Sequence, residues 1–187
     1  MPQKSAHVRM MNKAVDYLGR YASSRHKLGQ ILKRFASRKL TDYADDDIAA
    51  AIQQTIDQCG QLGYLDDQQF AVTMARSQRR LGRSQALIRQ RLRQHALDDG
   101  IIAQALAEAD ENSANGDLQA AIRFAQRRRL GPFAQRNSAH HQRLDAHQWK
   151  RRDIGAMARA GFSMTISKQI LDHDDPNTID DLLHRLD

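Results

Sequence analysis

The chain has 187 residues and weighs 21.3 kDa, with 27% charged and 41% AVILMFWYC residues, the balance of a globular chain and not of a disordered one. A chain of this length buries roughly 70% of its unfolded surface, so it needs no metal or disulfide staple to fold, and its one cysteine, Cys59, excludes an intrachain disulfide. The formal net charge of +7 is laid out in blocks: +8 over residues 1–43, −6 over 44–75, +7 over 76–97, −6 over 98–117, +8 over 118–161 and −4 over 162–187.

Aromatics amount to 5%, and the three prolines (Pro2, Pro132, Pro176) leave Gln3 to Gly131 free of that helix breaker, so helices are expected and a sheet-rich fold is not. Ala14, Leu18, Tyr21 and Ala22 form a first apolar stripe. Ser24 stands at an N-cap position ahead of Leu28, Ile31, Leu32 and Phe35, spaced i, i+3, i+4, i+7. Asp45, Asp46 and Asp47 precede Ile48, Ile52, Ile56 and Cys59, with Gly60 and Gly63 closing that segment.

The pattern then restarts. Asp66 caps Phe70, Met74 and Leu81, ended by Gly82; Ser84 caps Leu87, Ile88 and Leu92; Asp98 caps Ile101, Ile102, Ala105 and Leu106. A third round begins at Asp117, which caps Leu118, Ala121, Ile122 and Ala125, and breaks at Gly131-Pro132. A polar loop over Phe133–Gln142 leads to a helix with Trp149, Ile154, Met157 and Ala158 that stops at Gly161. Ser163 then caps Ile166, Ile170 and Leu171, and Asp175-Pro176 opens a short amphipathic tail with Ile179, Leu182, Leu183 and Leu186.

These elements fall into groups of three. Leu18 and Arg20 superpose on Met74 and Arg76 at a separation of 56 residues; Ser24, Leu28 and Leu32 superpose on Ser84, Ile88 and Leu92 at 60; Leu97, Ile101 and Leu106 superpose on Phe162, Ile166 and Leu171 at 65. The expectation is an all-α fold of tandem three-helix modules, residues 1–63, 64–116 and 117–172, with 173–187 as a C-terminal tail. Stacked modules of weakly amphipathic helices would form an elongated, curved array.

No catalytic constellation emerges. Neither G-x-x-x-x-G-K-(S/T) nor G-x-G-x-x-G is present. Ser24 and Lys27 fit S-x-x-K, but the companion motifs of Ser-Lys hydrolases are missing, so Ser24 reads as a cap. Asp66 and Asp67 read as caps rather than an acid–base pair. His140, His141 and His147 lack a Cys or carboxylate cluster that would complete a metal set, so neither metal nor cofactor is expected. Cys59 reads as a small buried hydrophobe and Trp149 as core. The longest apolar run, Ile48 to Ile52, is far short of the roughly 18 residues of a membrane span, and Met1–Gly19 has no apolar core of a secretory leader. A cytoplasmic chain is the expectation.

The charge blocks allow two readings: complementary solvated faces of neighbouring helices, or one face for a polyanion and another for a protein. The run from Arg76 to Arg93 contains seven arginines and no lysine, and Arg grips phosphate or carboxylate at two points. Binding is therefore favoured over catalysis.

Gly63-Tyr64-Leu65-Asp66-Asp67-Gln68-Gln69-Phe70-Ala71 resembles the G-Y-(L/I)-(D/N)-D-x-x-(F/Y)-A signature of the RecX family, bacterial regulators of the RecA recombinase. Gly82–Leu97 is similar to that family's G-x-x-x-I-x-x-x-L-x-x-x-G-(I/V) run, with Ala96 standing where the family usually has Gly. Arg159-Ala160-Gly161-Phe162-Ser163, with Ile166 and Leu171, resembles its R-x-G-(F/Y)-x-x-x-x-I terminus, and Tyr17-Leu18-Gly19-Arg20 with Ser24 and Leu28 resembles its beginning.

The resemblance spans about residues 14–172 and implies three three-helix repeats, no enzymatic role, and a partner, the RecA–DNA filament. Members bind that filament and restrain strand exchange, ATP turnover and SOS co-protease activity. Read this way, Arg76, Arg79, Arg80, Arg83, Arg89 and Arg93, with Arg127, Arg128, Arg129, Arg151 and Arg152, would meet filament carboxylates or DNA phosphate, and a monomer would bridge adjacent protomers. Nucleic acid alone would bind weakly. The alternative is a general helical DNA-binding protein that acts without a recombinase.

Overall fold

The computed structural model describes residues 5–110, 115–134 and 145–179, and among these every regular element is helical. The order is α1 (Ala6–Leu18), α2 (Arg25–Lys39), α3 (Asp45–Gln61), α4 (Asp67–Arg80), α5 (Gln85–Arg93), α6 (Asp99–Ala109), α7 (Gly116–Arg128), a 3-10 turn (Gly131–Phe133), α8 (Ala146–Arg159) and α9 (Met164–Leu171). By compactness the chain divides into two units, Met1–Ala71 with Arg93–Ile101, and Val72–Leu92 with Ile102–Asp187. Helices α4, α5 and α6 each run across a border of these units.

In the first unit α1, α2 and α3 pack mutually around Met10, Ala14, Leu28, Leu32, Leu40, Ile52, Ile56 and Cys59. Ser24 caps α2, its Oγ accepting from the Lys27 amide at 3.2 Å. Asp45, Asp46 and Asp47 occupy the first turn of α3, where carboxylates offset the positive helix start. The first stripe differs from expectation: α1 ends at Leu18, and its core face is Ala6, Met10 and Ala14. Tyr21 lies beyond the helix at 56% exposure, stacked on Tyr17, and Ala22 is exposed as well. Gly60 is inside α3; the chain leaves the helix at Gly63, φ +74°. Cys59 is fully buried, and burial pushes its thiol pKa up.

The Gly63–Ala71 segment is a corner. The Tyr64 amide donates to the Cys59 carbonyl at 2.9 Å, Leu65 and Ala71 are buried, and Asp66 accepts from the Gln69 amide at 2.9 Å to cap α4. Asp67 accepts from the Arg25 amide at 2.8 Å, tying the start of α4 to the start of α2. Phe70 packs on the His95 ring at 4.9 Å. Burial, then the positive neighbours Lys27 and His26, hold the His95 pKa below the ordinary histidine value against the pull of Asp67.

In the second unit α7 and α8 both pack on α9, around Leu118, Ala121, Ile122, Ala125, Met157, Phe162 and Ile170. The core face of α4 differs from the predicted stripe. Val72 and Ala75 are buried, Met74 is half-buried, and Leu81 is 47% exposed. Asp117 is not the cap of α7: that helix starts at Gly116, and Asp117 turns inward from its first turn. Ser84 caps α5 through the Leu87 amide and Ser163 caps α9 through the Ile166 amide, each at 3.2 Å.

A further cap, not anticipated from the sequence, is the capping box of Asp145 and Gln148 at the start of α8. Trp149 is half-buried, not core, and carries the Arg152 guanidinium over its ring at 4.9 Å. Pro176–Ile179 is helical behind Asp175, and Ile179 is buried in the second unit's core. Leu182, Leu183 and Leu186 lie outside the described residues, as do His140, His141 and the polar loop beyond Ala134.

Candidate functional site

The structure places the predicted arginines in different settings. Arg79 is set apart from the others: it is 6% exposed, because it continues the Val72–Ala75 face of α4 by one more turn. Its Nε donates to Asp110 at 2.8 Å, a second nitrogen reaches the other oxygen of Asp110, a third donates to Asp117, and the same nitrogen reaches the Arg83 carbonyl at 3.0 Å. Asp117 also accepts from the Gln85 amide at 2.7 Å, so one carboxylate holds α4, α5 and α7 together. Burial works against the charge on Arg79; its bonds to Asp110 and Asp117 outweigh that, and its pKa stands above the ordinary arginine value. This guanidinium is spent inside the fold.

Arg76 and Arg80 border a cleft of about 410 Å³ with Glu108, Gln119 and Arg123. Arg76 faces Glu108 at 3.8 Å and Arg79 is neutralised as described, so Arg80 and Arg123 carry the net charge there. Arg93, in the first unit, pairs with Asp99 at 3.1 Å on the surface. Arg89 is half-buried; Arg129, Arg151 and Arg152 are exposed. Arg129 is left-handed, φ +53°, and ends α7.

A second cleft, about 350 Å³, brings Arg83, Arg127 and Arg128 together with Arg159, which was not among the predicted contacts. Its floor is Leu87, Phe124, Ala156 and Ala160. Two glycines let its walls meet. Gly82 has φ +66°, and a Cβ there would lie 3.1 Å from the Ala120 carbonyl; Gly161 has φ +83°, and a Cβ there would strike Ser84 Oγ. That hydroxyl, besides capping α5, donates to the Ala160 carbonyl at 2.7 Å.

The cleft-lining residues include no carboxylate, and among the described residues Arg83, Arg127, Arg128 and Arg159 make no ion pair. The Nε of Arg83 is buried without a hydrogen-bond partner. Burial first, then repulsion from Arg91 and Arg127, lower the Arg83 pKa. The signal for Arg159 was in the sequence: it opens the R-x-G-F stretch, four residues after Gly155 on the last turn of α8.

Among the described residues no group of His, Cys, Asp and Glu is arranged to hold a metal ion, and no helix is long and apolar enough to cross a membrane. The chain is thus an all-α, helical-module protein whose second unit carries arginine-walled clefts. A family profile described as "RecX, second three-helix domain" matches residues 66–106. The chain is 30% identical over 173 residues to a regulatory protein RecX of Myxococcus xanthus, covering 91% of this chain and 88% of that one. It is 30% identical over 128 residues to a regulatory protein RecX of Mycolicibacterium vanbaalenii, covering 67% and 64%.

The fold matches the crystal structure of RecX from Lactobacillus salivarius with a TM-score of 0.65 at 16% identity, over 92% of this chain and 98% of that one. A further crystal structure of a regulatory protein RecX matches with a TM-score of 0.64 at 17% identity, over 90% and 74%. The chain belongs to the RecX family of regulatory proteins, a family named for regulation and not for a reaction.

Proposed function

We propose that this protein binds the RecA–single-stranded DNA filament and restrains its recombinase, ATPase and co-protease activities, in DNA repair and the SOS response. The observation that carries this reading is the cleft of Arg83, Arg127, Arg128 and Arg159, four guanidiniums without an internal counter-charge in a chain that belongs to a family of regulators. Holding like charges side by side costs stability, and a surface that keeps them is suited to an anionic partner. Arg80, Arg89, Arg129, Arg151 and Arg152 of the second unit are further candidate contacts, as are Arg76 and Arg93 at the surface beside Glu108 and Asp99; Arg79 is left out because its charge is matched inside the fold. The protein acts as a monomer in the cytoplasm, without a cofactor. Its modules are residues 1–63, 64–116 and 117–172, a division supported by the mutual packing of α1–α3 and by the three-helix profile on 66–106. Ile179, buried in the second unit, adds the start of 173–187 to the last of them.

The test is the ATPase of the cognate recombinase on single-stranded DNA, titrated with this protein. Inhibition is expected, and the Arg127→Ala, Arg128→Ala double variant should need about tenfold more protein for the same effect. No inhibition by the unmodified chain at several-fold excess would remove the reading.

A further inference from the structure

We infer that the cleft between the α4–α5 turn, α7 and the end of α8 is a binding site for an acidic protein segment that carries an apolar side chain between its carboxylates. The inference deepens the filament reading and rests on it for the partner's being a protein assembly. Four features select this occupant. First, the rim is Arg83, Arg127, Arg128 and Arg159, with no carboxylate among the lining residues, so an anion is required. Second, the floor is apolar, with Leu87 and Phe124 at its base, so the occupant must also bring an apolar group. Third, Arg83 lines the cleft with no ion pair among the described residues and with its Nε buried without an acceptor, so nothing inside the chain answers that guanidinium. Fourth, the cleft is built into the backbone: Gly82 and Gly161 adopt positive φ where the walls meet, so it is a formed concavity and not a gap between mobile side chains.

Nucleic acid would answer the charge but not the apolar lining. A duplex backbone presents phosphates on a convex ridge and has nothing to set on an apolar floor. A single strand would place bases on exposed aromatic faces, and Phe124, the cleft's aromatic, is half-buried and packed on Phe162 at 5.7 Å. The contrast with the neighbouring cleft of Arg76 and Arg80 is one of charge: there carboxylates line the cleft, Glu108 facing Arg76 and Asp110 pairing with Arg79.

The probe is a labelled synthetic peptide with glutamates on either side of a phenylalanine, followed by fluorescence anisotropy with the full chain. The peptide should bind. Changing its glutamates to glutamine, or its phenylalanine to serine, should each weaken binding by about tenfold or more, the phenylalanine change showing that charge alone is insufficient. The Arg127→Ala, Arg159→Ala variant should lose the peptide while keeping its helical circular dichroism.

Peptide binding that ignores either peptide change overturns the assignment, as does a folded double variant that binds like the parent. Displacement of the peptide by short oligodeoxythymidine that itself binds more tightly through the same arginines overturns it in favour of phosphate. The two readings fail separately. A chain that inhibits recombinase ATPase yet ignores the peptide loses only the cleft assignment, and one that takes the peptide yet leaves the ATPase untouched loses only the filament.

Discussion

Arg79 shows how one side chain can look like a contact residue and be a structural one. Charge counting places it with its neighbours, because Arg76, Arg79 and Arg80 are adjacent in a basic run. Its place on the helix says otherwise, since Val72, Ala75 and Arg79 share a face at i, i+3 and i+7. What the sequence could not supply is its partners, 31 and 38 residues away, whose arrival depends on tertiary packing. The same distance explains Asp117, which reads locally as a cap but has a better use in a part-buried carboxylate–guanidinium cluster. Removing the cation leaves the part-buried carboxylates of Asp110 and Asp117 without a counter-charge. Arg79→Ala should therefore cost about 3 kcal/mol in denaturant unfolding, whereas exposed Arg80→Ala should change stability by less than about 0.5 kcal/mol. Equal effects of the two substitutions would show that the cluster contributes no more than surface charge.

Helix boundaries were legible wherever the determinant is local. Ser24, Ser84 and Ser163 each accept from an amide three residues on, and each was visible as a short polar residue before an apolar stripe. The stripes themselves were less secure. In α1 the buried positions are Ala6, Met10 and Ala14 and in α4 Ala71, Val72 and Ala75, while Tyr21 and Leu81 stand in solvent because each lies past the last residue of its helix.

The end of α5 carries a sharper statement. Ala96 has φ +52°, the left-handed region that costs an L-residue roughly 1–2 kcal/mol. Ala96→Gly should then raise stability by about 0.5 kcal/mol, once the extra freedom of the unfolded chain is deducted. Gly161→Ala should have the opposite sign, losing about 2 kcal/mol or more, since a Cβ there meets both a positive φ and Ser84 Oγ. Thermal or denaturant midpoints of both variants decide it: destabilisation by Ala96→Gly would mean that the left-handed turn carries no strain.

For the molecule as a whole, the alternation of basic and acidic blocks was plain in the sequence, but its use was not. Part of it is consumed internally, as the arginines of α4 meet the carboxylates of the 98–117 block. The cleft arginines on the α4–α5 turn, α7 and α8 stay unmatched around an apolar floor. The fraction that is apolar can be measured through salt. Binding that only neutralises phosphates on a single strand falls with a logarithmic slope of about −0.7 per contact, so three contacts lose about twentyfold between 50 and 200 mM salt. A contact that adds burial of apolar surface keeps that part of its free energy, because burial is not screened and high salt does not weaken it. Naked single-stranded DNA should therefore be released steeply over this range, while the amount of protein needed to inhibit the recombinase ATPase should rise by no more than a few-fold. Anisotropy on a labelled oligonucleotide and ATPase titrations at the same salt concentrations measure the two slopes directly. Parallel slopes would mean that the arginines meet phosphate in both cases, and would favour a general helical DNA-binding protein over a regulator that recognises the filament's protein surface.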